Sequence, residues 1–187
     1  MKSLFGVVAL AVSLTGTARA DVISFSDSYA PGAASSWSHA FSLSRFDSSL
    51  GSLNAVTFNY GLGVTGSFRL ENLEAKPVTL LAQAGASLVF YGPVSRSIAA
   101  YASASEAVGA FDGVVDYGGA SGAQLGPLSA TNTGALGVLT GWADLIGAGA
   151  FTIDAQAFSA PSARGDGQLA ADLVSEMTGW ISVSYDR

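Results

Sequence analysis

From Ala55 to Thr65 the residues alternate without a break, with Val56, Phe58, Tyr60, Leu62 and Val64 on one side and Ala55, Thr57, Asn59, Gly61, Gly63 and Thr65 on the other. Side chains of a strand point to opposite faces in turn, so this period predicts one long strand with a single buried face. A slip of one residue would turn the whole apolar set outward, which ties the strand to its register. Immediately upstream, Asp47-Ser48-Ser49-Leu50-Gly51 reads as one tight turn. Its Asp and Ser side chains can accept backbone N–H bonds, and Gly51 can take a positive φ. The rest of the chain is expected to supply partners for this strand.

Those partners are short alternating or apolar runs separated by Gly and Pro. Val22–Asp27 carries Ile23 and Phe25 on one face and stops in Tyr29-Ala30-Pro31-Gly32, while Trp37, His39, Phe41 and Leu43 alternate with serines and Ala40. After the principal strand, Gly66 marks a bend or bulge, and Ser67–Glu71 continue with Arg69 and Glu71 facing outward. Val78–Ala82 and Ala86–Tyr91 are apolar on both faces, as in two centrally placed strands. Ser97–Phe111 has enough Ala for a helix, yet its serines and its β-rich surroundings favour one or two strands. Small residues from Asp112 to Gly137 suggest a long loop or a weakly packed edge, and no pairing is assigned across 97–137.

Apolar character returns at Leu136–Ile146, which includes Trp142. Phe151, Ile153 and Ala155 alternate with Thr152, Asp154 and Gln156, Ser162–Gln168 reads as a polar turn, and Ile181, Val183 and Tyr185 alternate to the end. Roughly eight to eleven short strands without a convincing long helix predict an all-β fold: an antiparallel β-sandwich, jelly-roll-like, in a single domain.

Residues 1–20 stand apart from this pattern. Lys2 forms a short positive region, Leu4 to Leu14 an apolar stretch, and Ala18-Arg19-Ala20 an A-x-A cleavage site, which together predict a secretory signal peptide. The expected organisation is therefore a signal peptide at 1–20 and a β-sandwich domain at 21–187, large enough to bury roughly 70% of its unfolded surface. No stretch approaches the length of a membrane-spanning helix. With no cysteine in the sequence, disulfides, thiolate metal sites and a lipidated N-terminal Cys are all excluded. Eight basic and fourteen acidic residues, less Lys2 and Arg19, give the exported part a charge of −8. That balance argues against nucleic acid, whose phosphates are met by clustered Lys and Arg.

The segment Phe46-Asp47-Ser48-Ser49-Leu50-Gly51-Ser52-Leu53 and the strand after it resemble the FDPSLGTL-type opening of the choice-of-anchor E domain family of secreted bacterial proteins. The similarity extends to Gly66–Asn72, to Asp144–Ile153 and to Thr178–Tyr185. It implies one β-rich extracellular domain, joined in that family to varied C-terminal sorting signals, and it carries no assigned activity or catalytic residue. Here the sequence closes on Val183-Ser184-Tyr185-Asp186-Arg187, so a domain without an evident C-terminal anchor is expected.

Four groups of residues invite a chemical reading, and each has a plainer one. His39 shares its face with Trp37, Phe41 and Leu43, which suits a neutral, hydrogen-bonded core or rim imidazole; no G-x-S-x-G elbow accompanies it for a triad. Asp112 and Asp116 would lie about 13 Å apart on an extended strand at about 3.3 Å per residue. Glycoside hydrolases hold their carboxylates about 5–9.5 Å apart. In a loop the two could meet, and calcium then competes with catalysis, although the D-x-D-x-D-G order is missing and solvated surface acids are expected. Arg164-Gly165-Asp166 matches an integrin-read tripeptide but is short. Trp142 and Trp180 could stack on sugar rings if exposed.

The expected function is that of a non-catalytic exported structural, matrix or surface-associated protein with no catalytic, cofactor or metal residues assigned and no cofactor. Its implied partners are extracellular polysaccharide or a cell-surface matrix, and an exposed strand edge offers a route to self-association. The alternative is a carbohydrate- or calcium-binding extracellular module.

Overall fold

The computed structural model describes residues 21–138 and 142–187; the expected signal peptide lies outside them, as do Leu139–Gly141 of the apolar stretch around Trp142. The described strands are β1 (Val22–Tyr29), β2 (Ser36–Ser44), β3 (Ala55–Asn72), β4 (Val78–Phe90), β5 (Arg96–Val108), β6 (Gly122–Val138), β7 (Ala150–Ser159), β8 (Ser162–Arg164) and β9 (Leu169–Asp186). One sheet has the order β1-β9-β3-β6 and the other β2-β7-β4-β5, with the short β8 added to β4. All pairings are antiparallel, and they are nested: β1 with β9, β2 with β7, β3 with β6, β4 with β5. A chain folded into one long hairpin and then rolled, so that successive pairs fall on opposite sheets, gives this pattern, which is the jelly roll.

β3 is the centre of the first sheet. Its even-numbered residues from Val56 to Leu70 all face the core, and Phe58, Leu62 and Leu70 are fully buried. Ahead of it, Asp47 caps the 3-10 turn Ser48–Leu50 by accepting from the Ser49 N–H, a bond that lowers the Asp47 pKa, and Gly51 follows at φ +134°. The expected irregularity at Gly66 belongs to its partner. Gly66 to Phe68 in β3 spans two positions against three in β6, from Leu128 back to Leu125. The extra residue lies at Gly126-Pro127, so β3 keeps its phase and β6 bulges.

Several expected boundaries give way. β4 is one strand and β5 another, because Gln83, Ala84 and Gly85 stay in the ladder with Ser103, Ala102 and Tyr101. The Ala-rich stretch forms strand rather than helix, as tertiary pairing overrides weak local preference. The expected loop over 112–137 shrinks to residues 109–121, and β6 runs along β3 as an edge strand. Its small residues fit their neighbours: a Cβ on Gly134 would fall 2.6 Å from the Tyr60 ring. β8 occupies part of the expected polar turn, and β9 begins eleven residues before its visible alternation at Trp180.

The core is apolar and rich in aromatic side chains. Trp37 packs edge-on to Phe41 at 6.4 Å, Phe41 meets Phe90 at 6.0 Å, and Phe90 meets Tyr60 at 5.5 Å, linking the two sheets. Gly179 of β9 makes room for this cluster, since a Cβ there would stand 2.7 Å from Trp37 and 3.1 Å from Leu88. The two open sides of the sandwich are bridged. On one side the Ser42 N–H of β2 donates to Asp27 Oδ2 of β1 at 2.8 Å, and on the other Asn132 of β6 donates to the Ala99 carbonyl of β5 at 2.8 Å. Such bonds obstruct the edges that the sequence offered for self-association.

Tyr185 is fully buried, donates to the Ser44 carbonyl at 2.9 Å, and has its pKa pushed up by burial to about 12. An unfolded tyrosine ionises near 10, so the stabilisation is present below pH 10 and is lost as pH rises towards 12. Denaturant titrations should show a loss of roughly 2–3 kcal/mol across that window, and Tyr185→Phe should flatten it. In the same assay Gly179→Ala should destabilise by about 1–3 kcal/mol through overpacking. Gly137→Ala, where a Cβ meets nothing within 4 Å, should stay within about 0.5 kcal/mol of the parent.

Candidate functional site

Three polar residues are fully buried among those described, Glu71, Asn72 and Ser121, and all three meet at one end of the sandwich. Asn72 ends β3 and joins two connections. Its Nδ2 donates to the carbonyls of Lys76 and Gly109, both at 2.8 Å, and its Oδ1 accepts from the Glu74 N–H at 2.9 Å. Glu74 in turn accepts from the Gln168 N–H at 2.7 Å, and its carbonyl receives the Phe111 N–H. The loops at 73–77, 109–121 and 165–168 are thereby tied together. Ser121 Oγ accepts from the Asp112 N–H at 3.3 Å and its carbonyl from the Asn72 N–H at 3.0 Å.

Glu71 corrects an expectation. It follows Arg69 on the outward face of β3, as the alternation requires, but it has no exposure because the 109–121 loop lies over it. The Tyr117 N–H donates to Glu71 Oε2 at 2.7 Å, while Oε1 is buried without a hydrogen-bond partner. Arg69 does face outward: its guanidinium pairs with Asp172, which raises its pKa, and lies 5.2 Å from the centre of the Tyr117 ring. The loop itself closes on its acids. Asp112 Oδ1 accepts from Val114 N–H at 3.1 Å and Asp116 Oδ1 from Gly118 N–H at 2.9 Å. Asp112 and Asp116 are therefore not spread along a strand; each closes its own turn in the loop, and Tyr117, within the second turn, has φ +61°. Sequence reasoning found both aspartates and missed Glu71, since nothing in the alternation signals a loop folding over an outward position.

The remaining candidates lie elsewhere. His39 is half-buried at the rim, stacked on Tyr29 at 4.2 Å and edge-on to Phe41 at 4.8 Å, with Nε2 4.0 Å from Asp27 Oδ2. That distance is too long for a hydrogen bond. Beside it a shallow groove of about 450 Å3 on the five-stranded sheet is lined by Ser38, Tyr91, Asp154 and Gln156. Trp180 lies on the outer face of the four-stranded sheet, against Gly61, where a Cβ would collide with its indole. Trp142 sits in the 3-10 turn Trp142–Leu145, partly buried against the core, so the two tryptophans do not share one open face. Arg164 ends β8 and Asp166 follows in an exposed turn. Among the described residues no group of three His, Cys, Asp or Glu side chains is placed to hold a metal by itself, and no helix is long and apolar enough to cross a membrane.

Fold and site together define a jelly-roll β-sandwich whose one end is closed by three polar loops. No family model and no curated protein matches the chain. Among solved structures it is similar to a chain of infectious bursal disease virus, Gt strain, at 18% identity over 89% of this chain and 31% of that one, with a TM-score of 0.24. A chain of the Gx strain is similar at 16% identity over 94% and 36%, with a TM-score of 0.20. The chain thus spans about a third of the length of these solved chains.

Asn72→Ala removes three hydrogen bonds and leaves the Lys76 and Gly109 carbonyls of two loops without that donor. It should cost about 2–3 kcal/mol, and limited proteolysis should shift to cuts within residues 109–121.

Proposed function

We propose that this chain is a non-catalytic structural, matrix or surface-associated protein, exported from a bacterial cell and akin to the choice-of-anchor E domains. The observation that carries the reading is the outer face of the four-stranded sheet. Ser24, Ser26, Ser182, Ser184, Thr57, Asn59, Thr131 and Thr133 occupy neighbouring outward positions there, and Ser24 and Ser184 hydrogen-bond at 2.8 Å. At these positions the face carries hydroxyls and an amide, with the Arg69–Asp172 ion pair further along the same sheet, and such a hydrated surface suits a molecule that works by being present outside the cell rather than by turning over a substrate.

A second reading, a carbohydrate-binding module, is favoured by Trp180, whose ring lies at the centre of that hydroxyl face over Gly61. Indole and hydroxyls side by side are the groups that stack on and hydrogen-bond a neutral sugar.

Fractionation of the native host, with blotting for this chain, tests the first reading. Recovery in the medium or in the extracellular matrix is expected, and confinement to the cytoplasm or periplasm overturns it. Pull-down on extracellular polysaccharide separates the second: retention that Trp180→Ala abolishes in a folded variant favours a binding module, and equal behaviour of the two proteins removes it.

A further inference from the structure

Three aromatic side chains are exposed among the described residues, Tyr91, Tyr101 and Phe158, and all three stand on the outer face of the five-stranded sheet. Tyr101 of β5 lies over Gly85 of β4, where a Cβ would fall 2.9 Å from its ring. Phe158 of β7 is flanked by Ser36 of β2 and Ser87 of β4. Tyr91 follows β4 and extends its ladder by one step, its N–H donating to the Asp154 carbonyl at 2.9 Å. Exposed apolar residues scattered singly are ordinary, but rings gathered on one face mark a contact surface.

Spacing and chemistry select what this surface takes. With strand positions about 3.3 Å apart and strands about 4.8 Å apart, the ladder sets Tyr91 about 14 Å from Phe158 and Phe158 about 12 Å from Tyr101. An extended chain spans such intervals and a single small ring does not. At the Tyr91 end lies the groove of about 450 Å3, a size typical of ligand sites, whose lining includes Asp154 but no Lys or Arg. An anionic chain finds no counter-charge there. Tyr91 Oη donates to Gln156 Oε1 at 3.2 Å, which leaves the Gln156 amide NH2 group as a donor. Ser38 and Asp154, both exposed, add a hydroxyl and a carboxylate acceptor, and the small Ala40 lies between them on β2 and β7. A ring beside an amide donor and a carboxylate acceptor complements a sugar, whose C–H face stacks and whose hydroxyls both donate and accept. The serines around Phe158 interrupt the apolar surface, so the face lacks the continuous apolar centre of an interface between two copies.

We propose that the outer face of the five-stranded sheet binds a neutral, extended polysaccharide. Tyr91, Gln156, Asp154 and Ser38 form one sugar subsite in the groove, and Phe158 and Tyr101 stack on rings further along the same chain. The inference rests on the polysaccharide contact of the proposed function and deepens it by naming its site, which lies on the other sheet from Trp180.

Calorimetric titration of the purified protein with cellohexaose, xylohexaose, laminarihexaose and mannohexaose, and with alginate oligomers as the anionic comparison, tests this. Binding to at least one neutral hexasaccharide, tighter than to alginate, is expected. Tyr91→Ala and Phe158→Ala should each weaken it about tenfold, and Tyr91→Phe, which keeps the ring, should recover most of the loss. Both positions are exposed, so these variants should keep the parent's Tm. No binding to any of the four neutral probes overturns the proposal, and so does tighter binding to alginate. Loss of binding in Trp180→Ala with Tyr91→Ala unaffected also overturns it, in favour of the opposite sheet. A dimer in sedimentation that Phe158→Ala dissociates, without sugar binding, overturns it in favour of a second copy. Because the titration uses purified protein, its failure is distinct from recovery of the chain in the wrong cell fraction, which counts against the proposed function alone.

Discussion

The ladder between β3 and β9 is the constraint on which the rest of the molecule depends. It runs without interruption from Ala55 opposite Asp186 to Asn72 opposite Leu169, the full eighteen residues of each strand. Within this sheet the nested hairpin pairs only β1 with β9 and β3 with β6; the contact between β3 and β9 closes the roll. Because β3 also carries β6 on its other side, its inward residues are covered from the second sheet and its backbone is paired on both edges. Register in β9 and β6 is therefore set by β3, and a slip in either would expose Ile181, Val183 and Tyr185 or misplace Gly134 under Tyr60.

Glycine serves this arrangement as space rather than as flexibility. Gly179 admits Trp37 to the core, Gly61 lies beneath Trp180, and Gly85 lies beneath Tyr101. Each pairs a missing side chain with a large aromatic one, and on the outer faces the rings of Trp180 and Tyr101 cover the glycine backbone. A domain without cysteine can thus combine dense interior packing with an outer surface dominated by Ser and Thr.

At the far end of β3 the chemistry changes. Glu71 and Asn72 leave the apolar pattern, and the loops from β3 to β4, from β5 to β6 and from β8 to β9 gather on them. Buried polar groups of this kind fix a single arrangement of the loops, because any other leaves donors and acceptors unmatched.

How much was legible follows from the range of each signal. Alternation is local, so β1, β2, β7, the centre of β3 and the end of β9 could be read from their own residues, as could the Asp47 turn, whose cap acts two residues away. β6 and the first half of β9 could not, because their small or mixed residues become strand only through pairing with β3. Asp112 and Asp116 were visible as acids, yet the burial of Glu71 under the loop that carries them depends on that loop returning over a strand more than forty residues away in sequence. The sequence by itself determined the all-β sandwich, the buried face of β3 and the acidic, cysteine-free character of the chain, since periodicity and composition are properties of the residues themselves. Only the tertiary structure decided the jelly-roll nesting, the bulge at Gly126-Pro127 and the polar end, because these rest on which distant segments share hydrogen bonds.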